Sequence, residues 1–404
     1  MKRRYHLHFP GLLYVVLTVV VGFAAINNQN NVLFWILGVM LSALVISGLV
    51  SGMMMSSLQI RRLMPAHGLV GEPLIVRYAL SNRSRFFPVF NVHIEERAVR
   101  NRSGWNTMMD RVGAWVMHVG PRDTVHGEAT FWPRRRGKAE FDALRIWTTF
   151  PFGIIKKSIT ITRPQHVLIY PQLYELRRGV LQAVTPQGLL GATVSRHTGA
   201  GDDYFGMREF RPGDSMRQIA WKRSAALDQL VSIERTTPAP PKVRIVVNLT
   251  RATHELERGA NADETARDLE ESAISLAASL IQLADLNGYE VGLSLPGTAG
   301  PSIQVRRNVW HREKLMAALA SIDLDAARKP RTPQSTANAE RIGRVVVHPD
   351  RVEASLGGPN AWHVTARQLK NLAVRPIGWD AARTGADAPS DDTKVTSKKR
   401  EAAA

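Results

Sequence analysis

The 404-residue chain has no cysteine, which excludes disulfide frameworks, thiolate metal sites and cysteine nucleophiles together. A second absence is more informative. From Tyr5 to Ile60 there is no Asp, Glu, Lys or Arg. Within that span lie two apolar runs, Gly11 to Ile26 and Val32 to Met55, separated only by Asn27-Asn28-Gln29-Asn30-Asn31. A helix rises about 1.5 Å per residue and a bilayer core is about 30 Å thick, so roughly 20 apolar residues cross it. The second run is long enough, and the first becomes so by recruiting Phe9 and Pro10. Membrane spans are therefore expected at about 9–26 and 32–55. The link is too short for anything but a tight hairpin, because lipid cannot satisfy irregular backbone. A cleaved signal peptide fits less well, since no small-residue cleavage site leads into a soluble domain and a second span follows at once.

Lys2, Arg3 and Arg4 precede the first run, Arg61 and Arg62 follow the second, and the link carries no cation. The positive-inside rule then places both chain ends in the cytoplasm. Acidic residues are also scarce over the whole chain, 35 against 53 basic ones, for a formal charge of +18. That excess favours anionic partners, with the lipid surface ahead of nucleic acid for a chain tethered to a bilayer.

Complete catalytic motifs are missing too. Gly199-x-Gly201 lacks the later glycine of a dinucleotide loop, and Gly137-Lys138-Ala139 lacks the upstream glycine and the hydroxyl of a phosphate loop. His254-Glu255 has no second histidine four residues after the first. Gly292-Leu293-Ser294-Leu295-Pro296 has proline where a nucleophile elbow needs glycine.

What is present divides at about residue 171. From Leu58 the pattern is short strands (Leu74 to Leu80, Val89 to Ile94, Ala114 to Val119, Thr124 to Phe131, Ala139 to Ile146, Ser158 to Ile161) punctuated by turn residues. About seven strands at such spacing suggest an all-β immunoglobulin-like sandwich over 58–171. From Val243 the texture changes to strand–helix alternation, which predicts a parallel α/β sheet. Val243 to Leu249 reads as a strand buried on both faces. A helix is expected from Glu264 to Asn287, with Asp263 as cap and Gly288 as stop. Further elements are expected at Tyr289 to Leu295 (strand), Trp310 to Ile322 (helix), Arg344 to His348 (strand), Val364 to Leu372 (helix) and Val374 to Gly378 (strand). Lys329 to Ala339 reads as a polar loop. The domains so expected are a hairpin over 1–57, a sandwich over 58–171, a motif region with an α/β domain over 172–382, and a disordered tail over 383–404.

Between the two textures runs a dense stretch, Gly199 to Ala226. Pro212-Gly213 makes a turn, and Asp214 is placed to cap a helix from Ser215 to Leu227, with Ile219 inward and Trp221 on a contact surface. The series Arg208-Glu209-Phe210, Pro212-Gly213-Asp214, Arg217-x-Ile219-x-Trp221 and the small step Ser224-Ala225 resembles the bacterial family called domain of unknown function fifty-eight. Arg135-Arg136-Gly137, Pro151-Phe152-Gly153 and Tyr170-Pro171 match further elements of that family, with Phe150 where the family usually has Asp.

The resemblance implies a membrane-anchored protein of the bacterial inner membrane, with a von Willebrand factor A-like, Rossmann-type α/β domain. It also implies a non-enzymatic adaptor or assembly role beside a MoxR-type AAA+ ATPase and a transglutaminase-like membrane protein, with no cofactor. A domain of that kind commonly binds a divalent ion through Asp-x-Ser-x-Ser after its first strand, with hard oxygen ligands. Here the position reads Asn248-Leu249-Thr250-Arg251-Ala252. An amide replaces the carboxylate and Arg251 adds positive charge, so the site at Asn248 and Thr250 is expected to be degenerate; a weak site completed by Asp263 or a partner's carboxylate stays open. Arg208, Glu209, Asp214 and Arg217 are expected to form a structural network, with Arg208 and Trp221 facing a partner. A cryptic hydrolase using Glu209 or Asp214, and a basic nucleic-acid binder, are the competing expectations.

Overall fold

The structure is a computed structural model that describes residues 2–7, 9–96, 108–110, 112–177, 179–181, 194–238, 240–256, 265–329, 342–353, 355–358 and 361–377. The expected cap Asp263, most of the 329–339 loop and the 383–404 tail lie outside the described residues. The chain divides into two compact units, the first over Met1–Tyr170 and the second over Pro171–Pro376.

The first unit begins with β1 (Lys2–Leu7), a strand the basic flank did not announce. Helices α1 (Phe9–Asn28) and α2 (Asn31–Ser57) follow as an apolar hairpin. Both are long and apolar enough to cross a membrane. Asn30 caps α2, its Oδ1 accepting from the Val32 N–H at 2.9 Å. The Tyr14 hydroxyl donates to the Met40 carbonyl at 3.1 Å, tying the helices together. Among the described residues, every strand after the hairpin in this unit belongs to one of two sheets. A three-stranded sheet has the order β2 (Leu58–Leu63), β4 (Leu74–Asn82), β7 (Thr124–Phe131). The other runs β1, β9 (Ile155–Tyr170), β8 (Gly137–Thr148), β5 (Val89–Glu96), β6 (Gly113–Val119), with β3 (His67–Leu69) beside β9. Alternate residues of both sheets point into one hydrophobic cluster that includes Val76, Tyr78 and Leu80 from one and Val92, Ile94, Phe141 and Ile169 from the other.

The same alternation corrects one reading of the flank. In β2 the inward positions are Leu58, Ile60 and Arg62. Arg62 is not a headgroup cation but a buried one, its Nε and Nη2 donating to Glu96 at 2.8 and 2.7 Å. The Tyr78 hydroxyl donates to the same carboxylate at 2.9 Å. Burial pushes the Glu96 carboxyl up while the Arg62 guanidinium pulls it down, and burial with the Glu96 charge raises the Tyr78 phenol.

The second unit is built on a five-stranded sheet ordered β15 (Ile303–Arg306), β14 (Glu290–Ser294), β13 (Lys242–Val247), β16 (Gly343–His348), β17 (Ala361–Thr365). Four of these strands are parallel and β15 is an antiparallel edge. Two further pairs lie outside this sheet: β10 (Tyr174–Leu176) with β18 (Ala373–Pro376), and β11 (Val194–Glu209) with β12 (Val231–Pro238). Helix α3 (Trp221–Leu227) precedes β12. Helix α4 (Ala266–Leu286) buries Leu269, Ala273, Leu276 and Leu280 on one stripe. Its cap is Thr265, in a reciprocal box with Asp268. Gly288 ends it at φ +82°. Helix α5 covers Val309–Ala320 and a short α6 covers Leu369–Leu372.

The helix expected from Val364 is corrected. Ala361–Thr365 is strand β17, with Val364 opposite Val347 of β16, and helical turns begin only at Ala366. Pairing with a buried parallel neighbour overrides the helical expectation at Val364 and Thr365. The Gly199-to-Asp203 stretch belongs to β11, where the register against β12 jumps between Gly199 and Tyr204.

Candidate functional site

The second unit holds two polar clusters, each centred on residues singled out in the sequence. The first is the motif Arg208 to Trp221. Arg208, near the end of β11, sends Nη1 and Nη2 to the two oxygens of Asp214 at 2.7 and 2.8 Å, and Nε to Glu234 on β12 at 2.7 Å. A bidentate guanidinium–carboxylate pair fixes orientation as well as charge. Asp214 also accepts from the Arg211 N–H at 2.9 Å, and Gly213 supplies the φ of +107° that the turn requires. The hydrogen bonds from Arg208, then from the Arg211 backbone, hold the Asp214 carboxyl below its ordinary range. Bonds to Asp214 raise Arg208 in turn.

The expected helix from Ser215 to Leu227, capped by Asp214, is corrected by this geometry. With Asp214 clamped to Arg208, the chain makes one 3₁₀ turn at Met216–Gln218 after Ser215, and α3 starts only at Trp221. Ile219 is buried and bridges Ser232. The Ala220 N–H donates to the Val231 carbonyl at 2.8 Å, and Ser224 Oγ accepts from the Val231 N–H at 2.9 Å. Each of these residues pins the turn to β12.

Outside this clip several large apolar side chains are exposed among charged ones. Met216 is 75% exposed and Trp221 64%, and Tyr204, Met207 and Leu227 are exposed as well. Glu209, Pro212 and Arg217 are exposed, and Phe210 is half-buried with its N–H bonded to the Leu230 carbonyl at 2.9 Å. Of the two residues expected to face a partner, Trp221 is outward, whereas Arg208 is engaged within the clip. Glu234 completes the clip. Nothing local in the sequence marks its pairing with a residue 26 positions earlier.

The second cluster lies at the carboxyl ends of β13 and β16, the position where ligands gather in parallel sheets. Thr250 donates both N–H (3.2 Å) and hydroxyl (2.7 Å) to Asn248 Oδ1. That fixes the amide orientation, so Nδ2 faces His348 Nδ1 at 3.2 Å and Glu353 at 3.1 Å. His348 Nδ1 must therefore accept, its proton sits on Nε2, and Nε2 donates to His363 Nδ1 at 3.0 Å. Burial, then the neighbouring His363, lowers His348 to about 4, keeping it neutral. Arg251 Nε pairs with Glu353 at 2.7 Å. Nearby, the buried Asp350 pairs with Arg367 at 2.6 Å, and Glu270 of α4 is held by Thr253 and Arg328.

These donors do not fit a hard divalent cation. The Asn248 oxygen is occupied by Thr250, its nitrogen points at the Glu353 carboxylate, and Arg251 already pairs with that carboxylate. Among the described residues no group of three His, Asp or Glu side chains could hold a metal ion. The crevice bordered by Asn248, Arg251, Asp350 and Glu353 measures about 10 Å³, room for a single water. His348, His363 and Glu353 carried no sequence signal, because the fold brings them to Asn248 from about a hundred residues away.

The chain matches no family model. It is similar to the uncharacterized protein YeaD of Bacillus subtilis (strain 168), at 22% identity over 209 residues, covering 52% of this chain and 48% of that protein. The chain thus spans about half the length of the curated relative it matches.

Proposed function

We propose that this protein is a membrane-anchored, non-enzymatic adaptor of the domain of unknown function fifty-eight type, which presents the Arg208–Trp221 clip to a MoxR-type AAA+ ATPase at the cytoplasmic face. In this reading the first unit is an immunoglobulin-like sandwich and the second a von Willebrand factor A-like domain whose metal position is filled by Asn248, Arg251 and Glu353. A transglutaminase-like membrane protein would be a further member of the assembly. The observation that carries the proposal is the division of labour in the motif. Arg208 is bonded to Asp214 and Glu234, while Met216 on the adjoining turn and Trp221 at the start of α3 are exposed. Aromatic and methionine side chains are enriched at binding surfaces, and tryptophan is among the commonest hot-spot residues. Asp214, held ionised by Arg208, is poorly set up as a general acid or base, and this counts against the hydrolase alternative.

The topology has its own support. Strand β1 precedes α1 and β2 follows α2 directly, and both strands enter the same folded unit. Both ends of the hairpin lead into one unit, which supports an even number of crossings, and Lys2, Arg3, Arg4 and Arg61 stand as its cationic flanks.

The test uses the full chain in lipid nanodiscs and the MoxR-type ATPase encoded in the same genome. Trp221→Ala should weaken binding by about 30-fold, as for a hot-spot aromatic, with unchanged hydrogen exchange in β11 and β12. Equal binding by Trp221→Ala and Met216→Ala would remove this surface from the interface.

A further inference from the structure

The matched element Pro151-Phe152-Gly153 has no part in the clip. It belongs to one of three loops that sit together at one end of the first unit, and that end is where the hairpin enters. The Arg83 N–H donates to the carbonyl of Ser57, the last residue of α2, at 2.9 Å. The Arg122 N–H donates to the Ser84 carbonyl at 3.0 Å, which places the 120–123 turn beside the 83–88 loop. The third loop, 149–154, abuts α1 so closely that a Cβ on Gly11 would lie 2.0 Å from the Ile154 carbonyl oxygen. A Cβ on Gly48 of α2 would lie 3.6 Å from Ile155.

Phe152 reaches beyond that level. It lines one groove with Gly38, Ser42, Ala43 and Ile46 of α2. Ala43 and Ile46 lie about 3–8 Å further along the helix than Gly48, away from Ser57, at 1.5 Å per residue. Phe152 is 55% exposed and Phe86 74%, with Phe87 exposed beside it.

These rings are held outward rather than left loose. Asn82 is buried, its Nδ2 donating to the Phe87 carbonyl at 2.8 Å and its Oδ1 accepting from the Ser84 N–H at 2.9 Å. Ser84 Oγ accepts from the Phe87 N–H at 2.9 Å. Within the 149–154 loop, Phe150 packs against Phe90 with ring centres 4.9 Å apart. Around the rings stand the exposed Arg83, Arg85 and Arg122, against one exposed acid, Asp123. Arg85 lies over the Phe86 ring at 5.5 Å.

We propose that the Phe86-Phe87 and Phe152 loops form a lipid-embedding surface: their rings enter the leaflet into which the hairpin descends, and Arg83, Arg85 and Arg122 meet its anionic headgroups. The occupant is a phospholipid leaflet because the surface is continuous with the hairpin. Ser57 and Leu58 are adjacent residues with no linker, so the loops stand at the depth where α1 and α2 leave the apolar layer. Apolar rings ringed by cations match that boundary. The inference rests on the hairpin being a membrane anchor and extends it, because it also fixes how the first unit sits on the bilayer.

The absence of cysteine makes the test direct. Single cysteines at Phe86, Phe152, Val45 and Ile75 are labelled with bimane, and the full chain is reconstituted in vesicles of phosphatidylethanolamine and phosphatidylglycerol. Ile75 is exposed and lies seven residues from Asn82 on β4, about 23 Å along the strand. Lipid-borne doxyl quenchers should place labels 86 and 152 about 5–10 Å inside the headgroup boundary, label 45 in lipid at a depth similar to label 152, and label 75 in water. Labels 86 and 152 as accessible to aqueous iodide as label 75, with label 45 still in lipid, would overturn this inference and leave the anchor standing. Label 45 in water would overturn both. Labels 86 and 152 shielded from both quenchers would assign the surface to a second copy of the chain and equally overturn the lipid reading.

Discussion

Replacing Glu96 by alanine should cost the first unit a large part of its stability. The Arg62 and Glu96 side chains are 0% and 2% exposed, and Glu96 accepts from Arg62 twice and from Tyr78 once. Removing the carboxylate leaves a guanidinium and a phenol buried without their acceptor. Arg62 keeps only neutral acceptors, chiefly the Phe141 and Arg163 carbonyls at 3.2 and 3.0 Å. Breaking one side of such a pair costs about 3–5 kcal/mol. At about 1.4 kcal/mol per factor of ten, that is a fall of roughly two to nearly four orders of magnitude in the protection of the slowest amides. The assay is hydrogen exchange of β4 and β8, read by mass spectrometry on the full chain in detergent, so that loss in the first unit is seen apart from the second. The double variant Arg62→Met with Glu96→Leu removes both charges and should recover most of the loss, since an apolar pair of similar volume often does as well as the ion pair. If Glu96→Ala left protection unchanged, or the double variant were no better than the single one, the reasoning about an enclosed charge pair would be wrong.

Two further outcomes follow from the second unit. His348 is held neutral, with its folded value near 4 against 6.5 for the free side chain; between those values the unfolded chain binds the extra proton, so stability should be full above pH 6.5 and fall toward pH 4. The loss approaches about 3 kcal/mol, and β16 amide protection in the parent, against a flatter profile in His348→Gln, measures it. Gly297 sits at φ +90°, and a Cβ there would lie 2.0 Å from the Leu249 carbonyl oxygen; Gly297→Ala should cost at least about 1–3 kcal/mol by chemical denaturation, and a variant as stable as the parent would show that this close approach is not required.

What the sequence revealed, and what it hid, follows physical lines. The hairpin was legible because an uncharged stretch from Tyr5 to Ile60 has almost no other explanation. The strands from Leu74 to Phe131 were legible because turn residues bound each one. Arg62 was misread because a cation after an apolar run looks like a flank, and only the β2 pleat shows that it points inward. Asp214 was read as a cap because capping is a local rule, whereas Arg208 and Glu234 reach it through the β11–β12 pairing. Asn248 and Thr250 were recognisable as neighbours of each other. Their other partners, His348 and Glu353, depend on the order β13–β16–β17, which no local pattern records.

In the proposed topology the apolar hairpin crosses a membrane twice and leaves both chain ends on the cytoplasmic side. Single cysteines at Gln29 and at Ala404, in an otherwise cysteine-free chain, can be challenged in intact cells with a maleimide that crosses the outer envelope but not the inner membrane. The account requires label at residue 29 before permeabilisation and at residue 404 only after it. Label at 404 in intact cells, or a full-length chain recovered in the high-speed supernatant without detergent, would contradict it.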